Sequence, residues 1–121
     1  MSTKITLTSA ELRQIQRAIN YIDKVYTDYM TVELLTTVFE MTPPRLQAGF
    51  KHLTGFTVQK YIISVRIEKA KVDLANPHFA IIFVHRKHGF SSHRYFAKVF
   101  KQYTGLTCQE YRFLQAQKKL D

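Results

Sequence analysis

The feature that most constrains this chain is its resemblance to itself at a spacing of fifty residues. Phe50–Tyr61 reads FKHLTGFTVQKY, and residues 100–111 read FKQYTGLTCQEY, with seven of twelve positions identical. A repeated segment carries the same local preferences twice, so it is expected to fold the same way twice. Upstream, each copy shows a short helical pattern, a turn and another short helix. Helix, tight turn, helix is the helix-turn-helix arrangement. The expectation is therefore an all-α chain of seven helices. Two helix-turn-helix subdomains, residues 1–56 and 77–121, are bridged by a long linking helix over 57–76.

The second copy, residues 89–112, has the clearest punctuation. Gly89 permits a tight turn, and Ser91 or Ser92 can accept from orphan backbone N–H groups as an N-cap. Phe96, Phe100 and Tyr103 recur at i, i+4 and i+7 and form an apolar stripe. His93, Arg94, Ala97, Lys98 and Lys101 fall on the opposite side. Gly105 supplies a left-handed stop. Thr107 and Glu110 form a capping box for the last helix. A short helix with a core stripe on one side and basic or hydrogen-bonding residues on the other suits the DNA major groove.

Read in order, Met1–Leu7 is expected to fray. Thr8 and Glu11 box a first helix of about 9–28, with Leu12, Ile15, Ile19, Ile22, Tyr26 and Tyr29 along one face. Thr31 caps a second helix near 32–39, with Leu34, Leu35 and Val38 inward. Thr42 caps a third, where Pro43 at the first position costs no hydrogen bond. Leu46, Phe50 and Leu53 are its expected core residues, and Gly55 its stop. The fourth helix runs from Thr57 to about Ala75. It carries two apolar stripes, Val58/Ile62/Val65/Val72 and Ile63/Ile67/Ala70/Leu74, so it is expected to be covered from two sides. Asn76-Pro77 ends it. A fifth helix spans about 80–88 with Ile81 and Val84 inward, and Leu114–Asp121 is expected to fray.

Charge narrows the partner. The net charge is +9. Residues 1–42 are net −1, 43–78 net +4 and 79–121 net +6. The positive field belongs to the C-terminal two-thirds and points to a polyanion. No secretory signal or apolar run of spanning length is present, which predicts a soluble cytoplasmic chain with no membrane partner. Cys108 is the single cysteine, so neither a disulfide framework nor a cysteine-based metal site is expected. His85 and His88 stand at i, i+3 with His93 near, but no carboxylate or further ligand adjoins them in sequence. No metal and no cofactor is therefore expected. His88 reads as a turn residue and His85 as a partly buried one. No Ser/His/Asp set, glycine-rich phosphate loop or paired carboxylates suggests an enzyme. The aromatics sit at helical spacing and read as core rather than as a stacking platform for single strands.

These motifs resemble the DNA-binding domain of the AraC/XylS transcriptional regulators over about residues 15–114. The resemblance rests on Gly89-Phe90-Ser91-Ser92, Tyr95–Lys101, Thr104–Thr107 and Glu110-Tyr111-Arg112. It also rests on Leu46-Gln47, Phe50-Lys51, Thr54-Gly55, Tyr61-Ile62, Arg66-Ile67 and Ala70. It implies a bacterial source, two helix-turn-helix subdomains and promoter binding. It further implies activation through RNA polymerase, which the first helix and acidic N-terminal third could face. The chain departs from the family at Thr36, Glu40 and His85, at Ala48 where a basic residue is frequent, and at Cys108 where proline is common. The first copy is accordingly expected to be the weaker reader.

By the family's pattern, the recognition positions are Pro44, Arg45, Gln47 and Ala48 in the first copy and His93, Arg94, Ala97 and Lys98 in the second. The expected base contacts are Arg45, Gln47, His93, Arg94 and Lys98. Arg94 or Lys98 pairs with guanine and Gln47 with adenine. Thr42, Lys51, Ser92 and Lys101 are the expected phosphate contacts, which set register and not sequence. The expected function is sequence-specific binding of double-stranded DNA by a monomer, with two helices in successive major grooves about 34 Å apart. A helical protein-interaction or RNA-binding module is the alternative. No small-molecule site is expected within the chain.

Overall fold

The computed structural model describes residues 5–120. The helices are α1 Ser9–Val25, α2 Val32–Phe39, α3 Pro43–Thr54, α4 Val58–Ala75, α5 Ile81–Lys87, α6 His93–Thr104 and α7 Cys108–Leu120. The fold is all-α, with seven helices and no strand among the described residues. The chain divides into two compact units, Met1–Ile63 and Ser64–Asp121, and the division falls inside α4.

In the first unit, the Thr8/Glu11 box starts α1: Glu11 N–H donates to Thr8 Oγ1 at 3.1 Å, and Thr8 N–H to Glu11 Oε1 at 3.0 Å. Thr31 Oγ1 accepts from Leu34 N–H at 3.0 Å and starts α2. Ile15, Ala18, Ile19 and Ile22 of α1 are buried with Leu35 and Phe39 of α2, Leu46 and Phe50 of α3, and Val58 and Ile62 of α4. At Gly49 of α3 the backbone comes so close to Ile15 that an added Cβ would lie 2.4 Å from Ile15 Cγ1. Tyr61 Oη donates to Asp23 Oδ1 at 2.7 Å and ties α4 to α1.

The second unit repeats this local chemistry. Ile67, Ala70 and Leu74 of α4, Val84 of α5, Phe90, Phe96, Val99 and Phe100, and Cys108 of α7 form its core. Thr54 Oγ1 donates to Phe50 O at 2.6 Å and accepts from Phe56 N–H at 3.1 Å. Thr104 does the same with Phe100 O at 2.7 Å and Leu106 N–H at 3.1 Å. Gly55 and Gly105 end their helices at φ 81° and 78°. Phe50 meets Tyr61 edge-on at 5.7 Å, as Phe100 meets Tyr111 at 5.5 Å.

Several expectations change. Residues 1–4 lie outside the described residues, but Thr6 in the supposed fraying arm is held: its carbonyl accepts from Arg45 Nη2 at 2.9 Å. α1 ends at Val25, and Tyr29 is 86% exposed. In α2 the buried pair is Leu35 and Phe39, one step along from Leu34 and Val38, because Phe39 packs edge-on against Tyr21. Leu53 and Tyr103 are exposed at the ends of α3 and α6. α4 is not striped on two sides along its length. Val58 and Ile62 bury in the first unit, Ile67, Ala70 and Leu74 in the second, and Val72 faces solvent. α7 does not fray at Leu114 but continues to Leu120.

Arg112 explains the docking of α7. Its Nε donates to Leu74 O at 2.7 Å, and its Nη2 bonds the carbonyl of Phe79. One guanidinium thus satisfies a terminal carbonyl of α4 and the chain that follows it, groups a helix end otherwise leaves orphaned.

Candidate nucleic-acid interface

Each unit presents one helix after a tight turn. In the first, α2 ends on Glu40, whose φ of 53° is left-handed, and α3 starts at Pro43. Thr42 occupies the N-cap position without a side-chain hydrogen bond. In the second, the turn passes through Gly89 at φ 84°, and Ser92 caps α6 by accepting from Tyr95 N–H at 3.1 Å. A non-glycine residue in the left-handed region costs about 1–2 kcal/mol, so the first turn is the more strained.

The two helices differ most in what their polar residues are doing. On α3, the Arg45 guanidinium is paired with both oxygens of Glu11 and with the Thr6 carbonyl. The hydrogen bonds from Arg45, followed by that from the Thr8 backbone, pull the Glu11 carboxyl down to a pKa of about 2. Gln47 is similarly committed. Its Oε1 accepts from Val58 N–H at 2.8 Å, and its Nε2 donates to Gln59 Oε1 at 3.0 Å, so it caps the start of α4. Pro44 and Lys51 are exposed, and Ala48 is half-buried.

On α6, Arg94, Lys98 and Lys101 are exposed at i, i+4 and i+7. None of the three makes a hydrogen bond or ion pair among the described residues. Their charge is available to an outside anion at no cost in internal bonds. His93 is half-buried, with Nδ1 enclosed and unpartnered. Its ring stands edge-on to His85 at 6.0 Å.

The three histidines do not converge. His88 is buried, and its Nε2 lies 2.6 Å from Asp73 Oδ2. Burial pushes the Asp73 carboxyl up, but hydrogen bonds from His88 and Lys87 outweigh it and hold it below its ordinary value. Sequence reasoning missed this tie because Asp73 lies fifteen residues away. Among the described residues no group of three or more His, Cys, Asp or Glu is arranged to hold a metal, and no helix is long and apolar enough to cross a membrane.

The arrangement has known counterparts. A family described as "Helix-turn-helix domain" matches residues 35–113. The bifunctional transcriptional activator/DNA repair enzyme AdaA of Bacillus subtilis is 34% identical over 92 residues, which are 76% of this chain and 44% of AdaA. The chain spans less than half the length of the first curated relatives it matches. The C-terminal domain of the two-component response regulator yesN from Fusobacterium nucleatum superposes with a TM-score of 0.72 at 30% identity, over 86% of this chain and 99% of that one. The DNA-binding domain of AdpA, solved in complex with a target DNA, superposes with a TM-score of 0.80 at 18% identity, over 89% and 97% of the two chains. With two turn-separated helix pairs in place and the family matched across both, this chain belongs to the AraC-type helix-turn-helix domains, a bacterial family of DNA-binding transcriptional regulators.

Proposed function

We propose that this chain binds double-stranded promoter DNA sequence-specifically, with α6 as the principal reader. The observation that carries the reading is the stripe of Arg94, Lys98 and Lys101, exposed and unpaired on the second helix of a helix-turn-helix. Arg94 and Lys98 are assigned to guanine O6 and N7 in the major groove. Lys101 and Ser92 are assigned to phosphates, and His93 to a base edge at the start of α6.

α3 takes a different part in the same proposal. For Arg45 or Gln47 to reach a base, each would have to give up the bonds that hold α1 and α4 against α3. We therefore assign both to positioning α3, in place of the base contacts their register suggests. Pro44 and Ala48 make apolar contacts, as with a thymine methyl, while Thr42 and Lys51 touch phosphate. The two helices enter successive major grooves from one monomer. Contact with RNA polymerase, and activation through it, completes the reading for a protein working at the nucleoid in the bacterial cytoplasm.

Selection of bound sequences from a random DNA pool, followed by alanine substitution, tests the assignment. Arg94→Ala should lower affinity for the selected site by about 1–3 kcal/mol, far more than it lowers non-specific affinity. Arg45→Ala should lower thermal stability and weaken all sequences alike. Equal loss on every sequence for Arg94→Ala would overturn its assignment as a reader.

A further inference from the structure

The repeat contains its own control experiment at one position. Gln47 in the first copy corresponds to Ala97 in the second. The Gln47 carboxamide fills the angle between α3 and the start of α4 and caps Val58 N–H at 2.8 Å. Ala97 has no carboxamide to offer Cys108, the residue equivalent to Val58. At the corresponding place a half-open cavity of about 660 Å³ lies between α6 and the first turn of α7. Specific small-molecule sites have volumes of about 300–1,000 Å³.

The lining defines the ligand. Ile81, Ala97 and Cys108 supply an apolar floor. Burial pushes the Cys108 thiol up to about 11, so that floor is uncharged at neutral pH. Lys98 and Lys101 stand on the wall, neither within ion-pair distance of a carboxylate among the described residues, with the Glu110 charge near enough to Lys101 to attract it. His93, with its enclosed and unpartnered Nδ1, lines the same space. At the first turn of α7, the Thr107 hydroxyl is already used by Glu110 N–H at 3.1 Å. A helix start leaves backbone N–H donors for an outside acceptor, and that of Cys108 also bonds its own thiol.

We infer that this cavity binds a small amphipathic carboxylate, an aromatic acid with its ring over Ile81 and Ala97 and its carboxylate toward Lys98, Lys101 and the start of α7. The acid supplies the acceptor that Gln47 supplies in the first copy. Because Lys98 and Lys101 also belong to the reading face proposed above, the ligand excludes duplex DNA from α6. This second step rests on that reading. The cavity itself does not.

The test uses 2-naphthoate as the acid and 2-naphthalenemethanol as its uncharged counterpart, titrated by calorimetry and by amide shifts of the intact chain. Naphthoate should bind and move the Cys108 and Gln109 resonances, and the alcohol should bind at least about tenfold more weakly. Ala97→Gln, which restores the residue of the first copy, should remove naphthoate binding while the protein stays folded. Lys98→Ala should weaken it by about 2- to 5-fold. No binding to the native chain, equal binding of acid and alcohol, or undiminished binding to the Ala97→Gln protein would overturn the site. Naphthoate should also weaken DNA binding by the native chain but not by the Ala97→Gln protein, read as the ratio with and without the acid. Naphthoate binding with no loss of DNA affinity overturns the competition alone. A chain that binds no DNA under any condition refutes the proposed function, while the titration still reports on the cavity.

Discussion

Single side chains decide how alike the two copies are in practice. Fifty residues apart, Gln47 and Ala97, Ala48 and Lys98, and Pro44 and Arg94 separate a helix whose polar groups look inward from one whose charges look outward. Arg45 shows the inward use most plainly, and it has a pH signature. The Glu11 carboxyl titrates near 2 in the folded chain, against an ordinary value of 4.5. Below its ordinary value the unfolded state binds the proton first. The stabilisation is therefore complete above about pH 5 and is lost as pH falls through the folded value. Glu11→Gln should lower the melting temperature at neutral pH and then lose less than the native chain between about pH 5 and pH 2.5. Parallel melting curves for the two proteins across that range would disprove the contribution. The register of Arg45 was legible in the sequence, and its partner was not, because Glu11 is thirty-four residues away.

Helices pack here under tight local terms. The contact of α1 with α3 depends on Gly49, where a Cβ would press against both Ile15 Cγ1 and Cδ1. Ile15 is fully buried, so a shift of its side chain disturbs the surrounding core. Gly49→Ala should destabilise the chain by about 1–3 kcal/mol in urea denaturation. In an Ile15→Ala background the same change should cost much less, since the obstructing atoms are gone. An additive double mutant would show that the approach is not limiting. The second unit accepts Val99 at the same register, buried in its own core, so the glycine answers to α1 and not to the repeat. Start and stop signals at this scale were largely readable. Capping boxes at Thr8 and Thr107 and left-handed glycines at 55 and 105 formed where their local pattern placed them. Inward faces were less readable where a helix is short: two turns of α2 allow either Leu34/Val38 or Leu35/Phe39, and only the ring of Tyr21 selects the latter.

For the molecule as a whole, net charge is the term that acts at a distance. A chain of net +9, with its unpaired cations concentrated on α6 and Lys51 exposed on α3, should capture duplex DNA by releasing counterions. With about six phosphates neutralised, the logarithm of affinity should fall with the logarithm of salt at a slope near about −5. Lys101→Ala should reduce that slope by about one unit on every sequence. A slope near zero would remove the electrostatic part of the proposed function.

What the sequence determined by itself was local and periodic: seven helices, their caps, the duplication and the basic character of its second half. Those properties depend on neighbours within one or two turns, and such neighbours are written consecutively. What only the tertiary structure decided was where each side chain spends its hydrogen bonds. Arg45 went to Glu11, Gln47 to Val58, His88 to Asp73 and Arg112 to the end of α4. Each bond joins groups at least eleven residues apart, across helices whose faces are set by packing. Repeated residues therefore settled the local structure of both copies, while their distant partners left the polar groups of α3 engaged and the cations of α6 exposed.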